Sequence, residues 1–451
     1  MAGPIEARCF KGTEDIMPEK MIPRQRMLGI ITRVFESYGF APLETPTMEF
    51  LDILLAKSGE ENAKLIYNLA YKGGNVLGLR FDLTVPLARC VAMRPDLPMP
   101  FRRYQIQPVF RGERAQMAQG RYREFYQCDV DTLGTTSMTA DAENIAVSME
   151  VYQALGIGAD NGGLVARVNN RKILRAITVA SGLAPEMDQP VCTALDKIDK
   201  IGEALVRAEL AEKGIAADAQ DRLFDLVTLS DRIGRTRHAE VLAALEGRFQ
   251  GDPFGLQGLQ EVREVLDGAE ALGVPRALME FDLSLTRGMD YYTGPIYEFR
   301  AVKIPNFGSL GGGGRYDDLI GLYCGRQVPA TGVSVGLSRV QDALGLLGLA
   351  PKEKSTPAVA LILRFEDVPA AKHLALAQTL RRDGLATEIY CEPAKFKKQI
   401  GYAEKKGIPF VVVQGTTELE KGTAQVKDLA AHRQEEMPVA KIAAYIAAAS
   451  R

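Results

Sequence analysis

The sequence is short of the side chains that most enzymes use as nucleophiles, bases or metal ligands. It has only three histidines, His238, His373 and His432, and none lies inside a polar motif. That speaks against a Ser/His/Asp triad and against a histidine-rich metal site. All three read as surface or loosely packed rings. The six cysteines, Cys9, Cys90, Cys128, Cys192, Cys324 and Cys391, are scattered and form no CxxC pair. Structural zinc and a disulfide framework are therefore not expected, and a reducing cytoplasm is. No apolar run approaches the roughly 20 residues of a membrane span. The N-terminus, MAGPIEARCFKGTEDIMPEK, lacks the apolar core of a secretion signal. Net charge is -2, so no basic field covers the whole molecule, and any contact with RNA is local.

What is present is ordinary in bulk. The 451 residues are 46% hydrophobic and 25% charged, which suits a soluble globular protein. At about 150 residues per domain the length predicts two to four domains. Residues 19–38 read as a helix ended by Gly39, and FAPLETPTMEF as an extended segment broken by Pro42 and Pro46. From about 64 to 135, LIYNLA, VLGLRFDLTVP, RRYQIQPVFRG and RYREFYQCDVDTLG read as strands of an antiparallel sheet. ADAENIAVSMEVYQAL reads as a helix and LVARVN as a strand. Residues 171–275 are mostly helical, and sheet signals resume at LMEFDLSLTRGMDYYTGPIYEFRAV. The expected layout is one α+β core, 1–170 and 276–350, divided by a helical insertion over 171–275. A charged linker, 351–356, leads to a small α/β domain over 357–451 with a βαβα pattern.

The polar motifs sit where cores do not. In a strand, residues two apart share a face. That sets Arg111 and Glu113 on one face of VFRGER. It sets Arg121, Arg123, Phe125, Gln127, Asp129 and Asp131 on one face of the following strand, with Tyr122, Tyr126, Cys128 and Val130 toward a core. LRFDLTVP repeats the logic, with Arg80, Asp82 and Thr84 on one face. Arginine forks suit phosphate, whereas carboxylates and amides suit an ammonium group or a ring N–H. LTRGMDYYTG and SLGGGGRYDD add an arginine, tyrosines and a run of four glycines, 311–314.

At these residues the sequence resembles a known family. FRGER…GRYREFYQ is similar to motif 2 of the class II aminoacyl-tRNA synthetases, and ATGVSVGLSR to motif 3. SYGFAPLETPTMEF resembles motif 1, a dimer-interface segment in that class. TRGMDYYTG and GGGGRYD resemble the two signature segments of the histidyl-tRNA synthetases, and KGTEDIMP the start of that family. The matches run in order from residue 11 to 339, and the C-terminal domain resembles the family's anticodon-binding domain.

The resemblance implies roles for particular residues. Arg111 and Arg287 would be the catalytic cations. Arg111, Glu113, Arg121 and Arg339 would contact ATP, with Mg²⁺ on its phosphates. Asp82, Thr84, Gln127, Asp131, Arg287, Tyr291, Tyr292 and Tyr316 would surround L-histidine, and glycines 311–314 would form a backbone floor. The implied partners are tRNA-His and a second copy of the chain, in the cytoplasm and without a membrane. The implied reaction joins the histidine carboxylate to the α-phosphate of ATP, then passes the aminoacyl group to the 3′ end of tRNA. The alternative is a catalytically inactive relative serving as regulatory subunit of an ATP phosphoribosyltransferase. Such a protein usually loses phosphate-binding arginines and lacks the anticodon domain. In the C-terminal domain, Lys395, Lys397, Lys398, Lys405 and Lys406 are candidates for contact with RNA phosphates.

Overall fold

The computed structural model describes residues 5–449 apart from 57–62, 71–72, 75, 118–119, 288–290 and 351–354, and only the backbone of 199 and 200. Most of the linker expected at 351–356, part of the loop 115–119, and Gly288, Met289 and Asp290 lie outside the described residues. The chain divides into two compact units, one of Met1–Glu14 with Met27–Ala350 and one of Asp15–Arg26 with Pro351–Arg451.

The strands of the first unit are β1 (Ala41–Pro42), β2 (Met48–Phe50), β3 (Asn68–Leu69), β4 (Leu77–Leu79), β5 (Phe101–Phe110), β6 (Glu124–Leu133), β7 (Leu164–Asn170), β8 (Met279–Phe281), β9 (Pro295–Ala301), β10 (Gly311–Arg315) and β11 (Ala330–Gly336). Eight of them form one sheet in the order β1-β5-β6-β11-β10-β9-β7-β8, and β2-β4-β3 form a small second sheet. The six central strands of the large sheet pair antiparallel; only the edge strands β1 and β8 pair parallel.

Alternation divides the two faces of this sheet. Cys128 and Val130 of β6, Val333 and Val335 of β11, and Tyr297 and Phe299 of β9 are buried in the main hydrophobic cluster. That cluster also contains Ile145 and Val151 of the helix Thr139–Ala154, and Val262 and Leu266 of the helix Pro253–Ala271. Between Arg171 and Ala271 the described elements are helical, and many of their apolar residues belong to the same cluster. These helices share the core of the sheet.

The opposite face is polar because register puts polar residues side by side. Gln105, Asp129, Ser334, Gly312, Glu298 and Arg167 are successive cross-strand partners over six strands. Arg103, Asp131, Gly332 and Gly314 form the next such row. The glycine run is thus a central strand between β9 and β11, buried from Gly312 onward.

Two sequence expectations fail here. VLGLRFDLTVP is not one strand: β4 stops at Leu79, and after a short turn a helix, Thr84–Ala92, begins. Asp82 accepts a hydrogen bond from the Val85 N–H at 2.9 Å, and Pro86 falls in the first turn, so the segment carries a helix-start signal. Arg80 consequently points away from Asp82 and Thr84. It is fully buried and donates to the carbonyls of Pro108 and Thr45, each at 2.8 Å. The histidines are the second failure. His238 and His373 are buried, each with Nε2 on a backbone carbonyl, that of Met279 at 2.8 Å and that of Gln414 at 3.3 Å.

The second unit has β12 (Ala360–Ile362), β13 (Thr387–Ile389), β14 (Phe410–Val413), β15 (Thr423–Asp428) and β16 (Arg433–Pro438) in the order β13-β12-β14-β15-β16. The first three pair parallel and the last two are added antiparallel. β16, RQEEMP, has no sequence signature because it is an exposed, polar edge strand with Met437 alone buried. No helix among the described residues is long and apolar enough to cross a membrane.

Candidate active site

Two recesses open over the polar rows of the large sheet and share a wall made of Arg111, Gln127, Arg287, Gly312 and Ser334. The first is a cationic cleft. It brings together Arg111, Arg121, Arg287 and Arg339, and Glu113 is its one carboxylate among the described residues.

Each arginine is held differently. The Arg111 guanidinium lies 4.4 Å from the ring centroid of Phe81 and 5.1 Å from that of Phe125, and its Nε donates to the Phe81 carbonyl at 3.2 Å. Stacking fixes the fork by its faces and leaves its plane directed for donation. Arg339, on the helix Leu337–Leu346, donates to the Ser309 carbonyl at 2.7 Å. Burial, and then the charges of Arg121 and Arg111, push its pKa below the ordinary arginine value. Like charges gathered this closely favour a bound anion.

Arg287 has a backbone φ of 51°. That left-handed conformation is uncommon for a residue with a β-carbon. The side chain lies flat over β10: a Cβ on Gly312 would come within 2.0 Å of its Nη1. Glu298 of β9 approaches that Nη1 at 3.8 Å and is itself paired with Arg300 at 2.6 Å and Arg167 at 3.4 Å. The Nε of Arg287 is buried without a hydrogen-bond partner.

The second recess is rich in carboxylates and phenols. Asp82, Thr84, Gln127, Asp129, Asp131, Tyr291, Tyr292 and Tyr316 line it. Asp82 sits on the N-terminus of the helix Thr84–Ala92. Burial raises its pKa against the pull of the Val85 N–H and Arg111. Asp129 is pushed up to about 7, chiefly by burial, with Asp131 and Asp82 adding and Arg103 and Ser334 opposing. Asp131 is raised by burial too, against Arg103 and the Tyr316 hydroxyl. Gln127 donates to the Ser334 hydroxyl at 2.9 Å, and its own Oε1 is a buried acceptor without a partner. Tyr291 packs edge-on against both Tyr292 and Tyr316, at centroid distances of 4.9 and 5.9 Å.

The twelve residues singled out in the sequence all line one recess or the other. Arg123 does not: β6 begins one residue later. Arg123 instead stacks on Phe10 at 4.9 Å and donates to the carbonyls of Lys11 and Glu113, each at 3.1 Å. Tyr122, expected in the core, lines the cleft and donates to Asp342 at 3.1 Å. Asp129, Ser334, Glu298 and Arg103 were not singled out as site residues. Alternation along β6 was signal enough for Asp129; the other three depend on which strands pair.

A cleft that gathers arginines thus shares a wall with a recess that gathers carboxylates, on one face of a largely antiparallel sheet. The sequence model of the family described as histidyl-tRNA synthetase matches residues 12–340, and that described as anticodon binding domain matches 363–449. Curated relatives named histidine--tRNA ligase include those of Rhodopirellula baltica, 39% identical over 96% of each chain, and Gloeobacter violaceus, 39% identical over 98% of each. The crystal structure of histidyl-tRNA synthetase from Nostoc sp. superposes with a TM-score of 0.84 and 32% identity, covering 98% of this chain and 99% of that one. The chain belongs to the histidyl-tRNA synthetase family. A Bacillus halodurans structure titled ATP phosphoribosyltransferase regulatory subunit/histidyl-tRNA synthetase shares the fold, at a TM-score of 0.72 and 21% identity, over 88% of this chain and 97% of that one.

The raised pKa of Asp129 has a definite sign in folding. Its folded value, about 7, lies above the ordinary carboxylate value, so the folded chain holds this proton more tightly than the unfolded chain. Stability from Asp129 is therefore complete below about pH 4 and is lost as pH rises toward 7. Asp129→Asn removes the titration. In urea unfolding without ligand, its advantage over wild type should grow between pH 5 and 7 by about 1.4 kcal/mol per pH unit at most. A difference that stays constant across that range would refute the assignment.

Proposed function

We infer that this chain is a histidine--tRNA ligase that activates L-histidine with ATP and transfers it to tRNA-His. The observation that carries this reading is the shared wall. Arg111, Arg287 and Gln127 border both the cationic cleft and the carboxylate pocket, so ligands in the two recesses meet there.

The chemistry needs positioning more than proton transfer. The α-carboxylate of histidine is ionised at neutral pH and attacks the α-phosphorus without a general base. A C–O–P bond forms, the bond from the α-phosphorus to the bridging oxygen breaks, and pyrophosphate leaves with that electron pair. Two anions must approach in line, so fixed cations supply the main assistance. Arg287 lies where the carboxylate and α-phosphate would meet. Arg111, Arg121 and Arg339 would hold the phosphate chain. Asp82, Thr84, Gln127 and Asp129 would receive the α-ammonium, and Asp131, Tyr292 and Tyr316 the ring, with Tyr291 packed behind them. Among the described residues no cluster of three or more His, Cys, Asp or Glu could cage a metal. Glu113, the carboxylate of the cleft, would be the residue to help hold a Mg²⁺ ion brought with the nucleotide, and that ion would offset phosphate charge. A tRNA 3′-terminal hydroxyl then attacks the carbonyl carbon and releases AMP.

The regulatory reading gains nothing from the site. A chain relieved of phosphate chemistry has no use for four arginines that repel one another in one cleft.

Arg287→Ala should lower histidine-dependent ATP–pyrophosphate exchange by about 10²–10³ in kcat, the usual loss for one preorganised donor. Thermal unfolding should stay near wild type. Near-normal exchange by this variant would remove Arg287 from the mechanism. Residues 357–451 would carry the anticodon contacts. A chain ending at residue 356 should therefore keep much of its exchange activity and lose far more of its tRNA charging; equal losses would refute that division. The segment 38–50 supports a two-fold homodimer. Light scattering at micromolar concentration should give twice the chain mass, and a monomer would count against it.

A further inference from the structure

Of the three carboxylates in the second recess, one is ion-paired directly with a fully buried arginine. Arg103 and Asp131 are direct cross-strand partners of β5 and β6. Arg103 is fully buried, and its Nη2 lies 2.7 Å from Asp131 Oδ2. Arg103 lines neither recess. Its Nη2 also donates to the Leu83 carbonyl at 3.5 Å, its Nε and Nη1 have no hydrogen-bond partner, and the Asp131 carboxylate is its ion-pair partner. Burying an arginine with donors unused is costly, and a sheet of this size could hold a leucine there.

The other sides of Asp131 are equally specified. Tyr316 donates its hydroxyl to Oδ1. Gly332 of β11 is the cross-strand partner on the far side, and a Cβ there would fall 1.9 Å from Oδ1. The carboxylate therefore lies over a position that glycine alone leaves open. Asp129 on the same strand and Asp82 before the helix add negative charge nearby. Tyr291 stacks behind Tyr316. Without Arg103, three buried carboxylates would share one recess, and Asp131 would take up a proton.

We infer that Arg103 is the positioning residue that keeps the Asp131 carboxylate charged and aimed into the recess, and so sets the preference for a ligand ring that donates a hydrogen bond. This rests on the reading of the recess as the histidine pocket. Asp82 and Asp129 can be neutralised by the ligand's ammonium group. Asp131 needs no ligand cation, because Arg103 already supplies one, and can serve a neutral ring N–H as a full acceptor. A pocket whose polar groups would be left unpaired by an apolar ring rejects that ring strongly.

The test uses the full chain and histidine-dependent ATP–pyrophosphate exchange from pH 6 to 9, with Arg103→Met, Arg103→Lys and the double variant Arg103→Met/Asp131→Asn. An opposite charge at this distance shifts a carboxylate by about 1–3 pH units. Arg103→Met should therefore raise KM for histidine about tenfold at pH 7, with the defect shrinking toward pH 9 as Asp131 ionises. It should also narrow the discrimination against 3-(2-thienyl)alanine, whose ring has no N–H. Arg103→Lys should recover most of the KM. In the double variant KM should no longer vary with pH through this residue, and thermal stability should exceed that of Asp131→Asn alone. A KM profile for Arg103→Met parallel to that of wild type, whatever its stability, would overturn the inference. So would an Arg103→Lys variant as defective as Arg103→Met, should the latter fail to fold. A wild-type chain with no histidine-dependent exchange would overturn the functional reading and this inference together, whereas an active wild type with a parallel profile sinks Arg103 alone.

Discussion

Everything in this site hangs on the register of six antiparallel strands. The polar rows beneath the site come from segments far apart in sequence: Arg103 from β5, Asp129 and Asp131 from β6, Gly332 and Ser334 from β11, Gly312 from β10 and Glu298 from β9. They meet because Arg103 pairs with Asp131, Asp131 with Gly332, Asp129 with Ser334, Ser334 with Gly312, and Gly312 with Glu298. A slip of one residue in any pairing would send its polar residues into the core and Cys128, Val130, Val333 or Val335 into the recess. The apolar rows on the back of the sheet thus specify the polar rows on the front. The helices between Arg171 and Ala271 belong to this account because they help bury that back.

Charge is distributed over the rows with the same economy. The cleft gathers cations and the neighbouring recess gathers carboxylates, so each is incomplete until a ligand of opposite charge arrives. Two exceptions are informative. Asp131 is balanced internally by Arg103, and Arg287 is steadied by Glu298, which is balanced by Arg167 and Arg300. In both, a protein ion pair stands behind a side chain that lines a recess, Asp131 in the second recess and Arg287 on the shared wall. The recess with three carboxylates and the cleft with four arginines oppose their own folding electrostatically, and the large apolar core offsets that cost.

Much of this was readable from the sequence, and the limits have physical causes. The alternation along Gln127, Asp129 and Asp131 announced a polar face because a strand has period two. Arg287 stood out because arginine beside glycine and phenol is not core composition, whereas Arg111 and Arg339 were marked by the resemblance to motifs 2 and 3. Arg80 was misplaced because the strand pattern was carried past Leu79, although Asp82 and Pro86 mark a helix start. Arg103 and Glu298 went unnoticed because their meaning lies in their partners, and pairing between strands leaves no mark on either strand alone. His238 and His373 were misjudged because a backbone carbonyl suffices to satisfy a buried imidazole, and sequence does not reveal that carbonyl.

The glycine strand β10 has a further consequence. Its bare backbone forms a floor: Gly311 and Gly312 line the cleft, Gly312 and Gly313 line the second recess, and Arg287 lies against Gly312. A Cβ at 311, 312 or 313 would come within 2.3 Å, 2.0 Å and 2.0 Å of an existing atom, and at 314 within 2.7 Å. Every substitution at these positions adds matter, and none can remove any. A floor made of backbone alone therefore cannot be tuned by small steps: it has no smaller neighbour in the genetic code to drift to. Change in ligand preference must come from the walls, from residues such as Asp131, Gln127 and Tyr292, while the floor stays fixed.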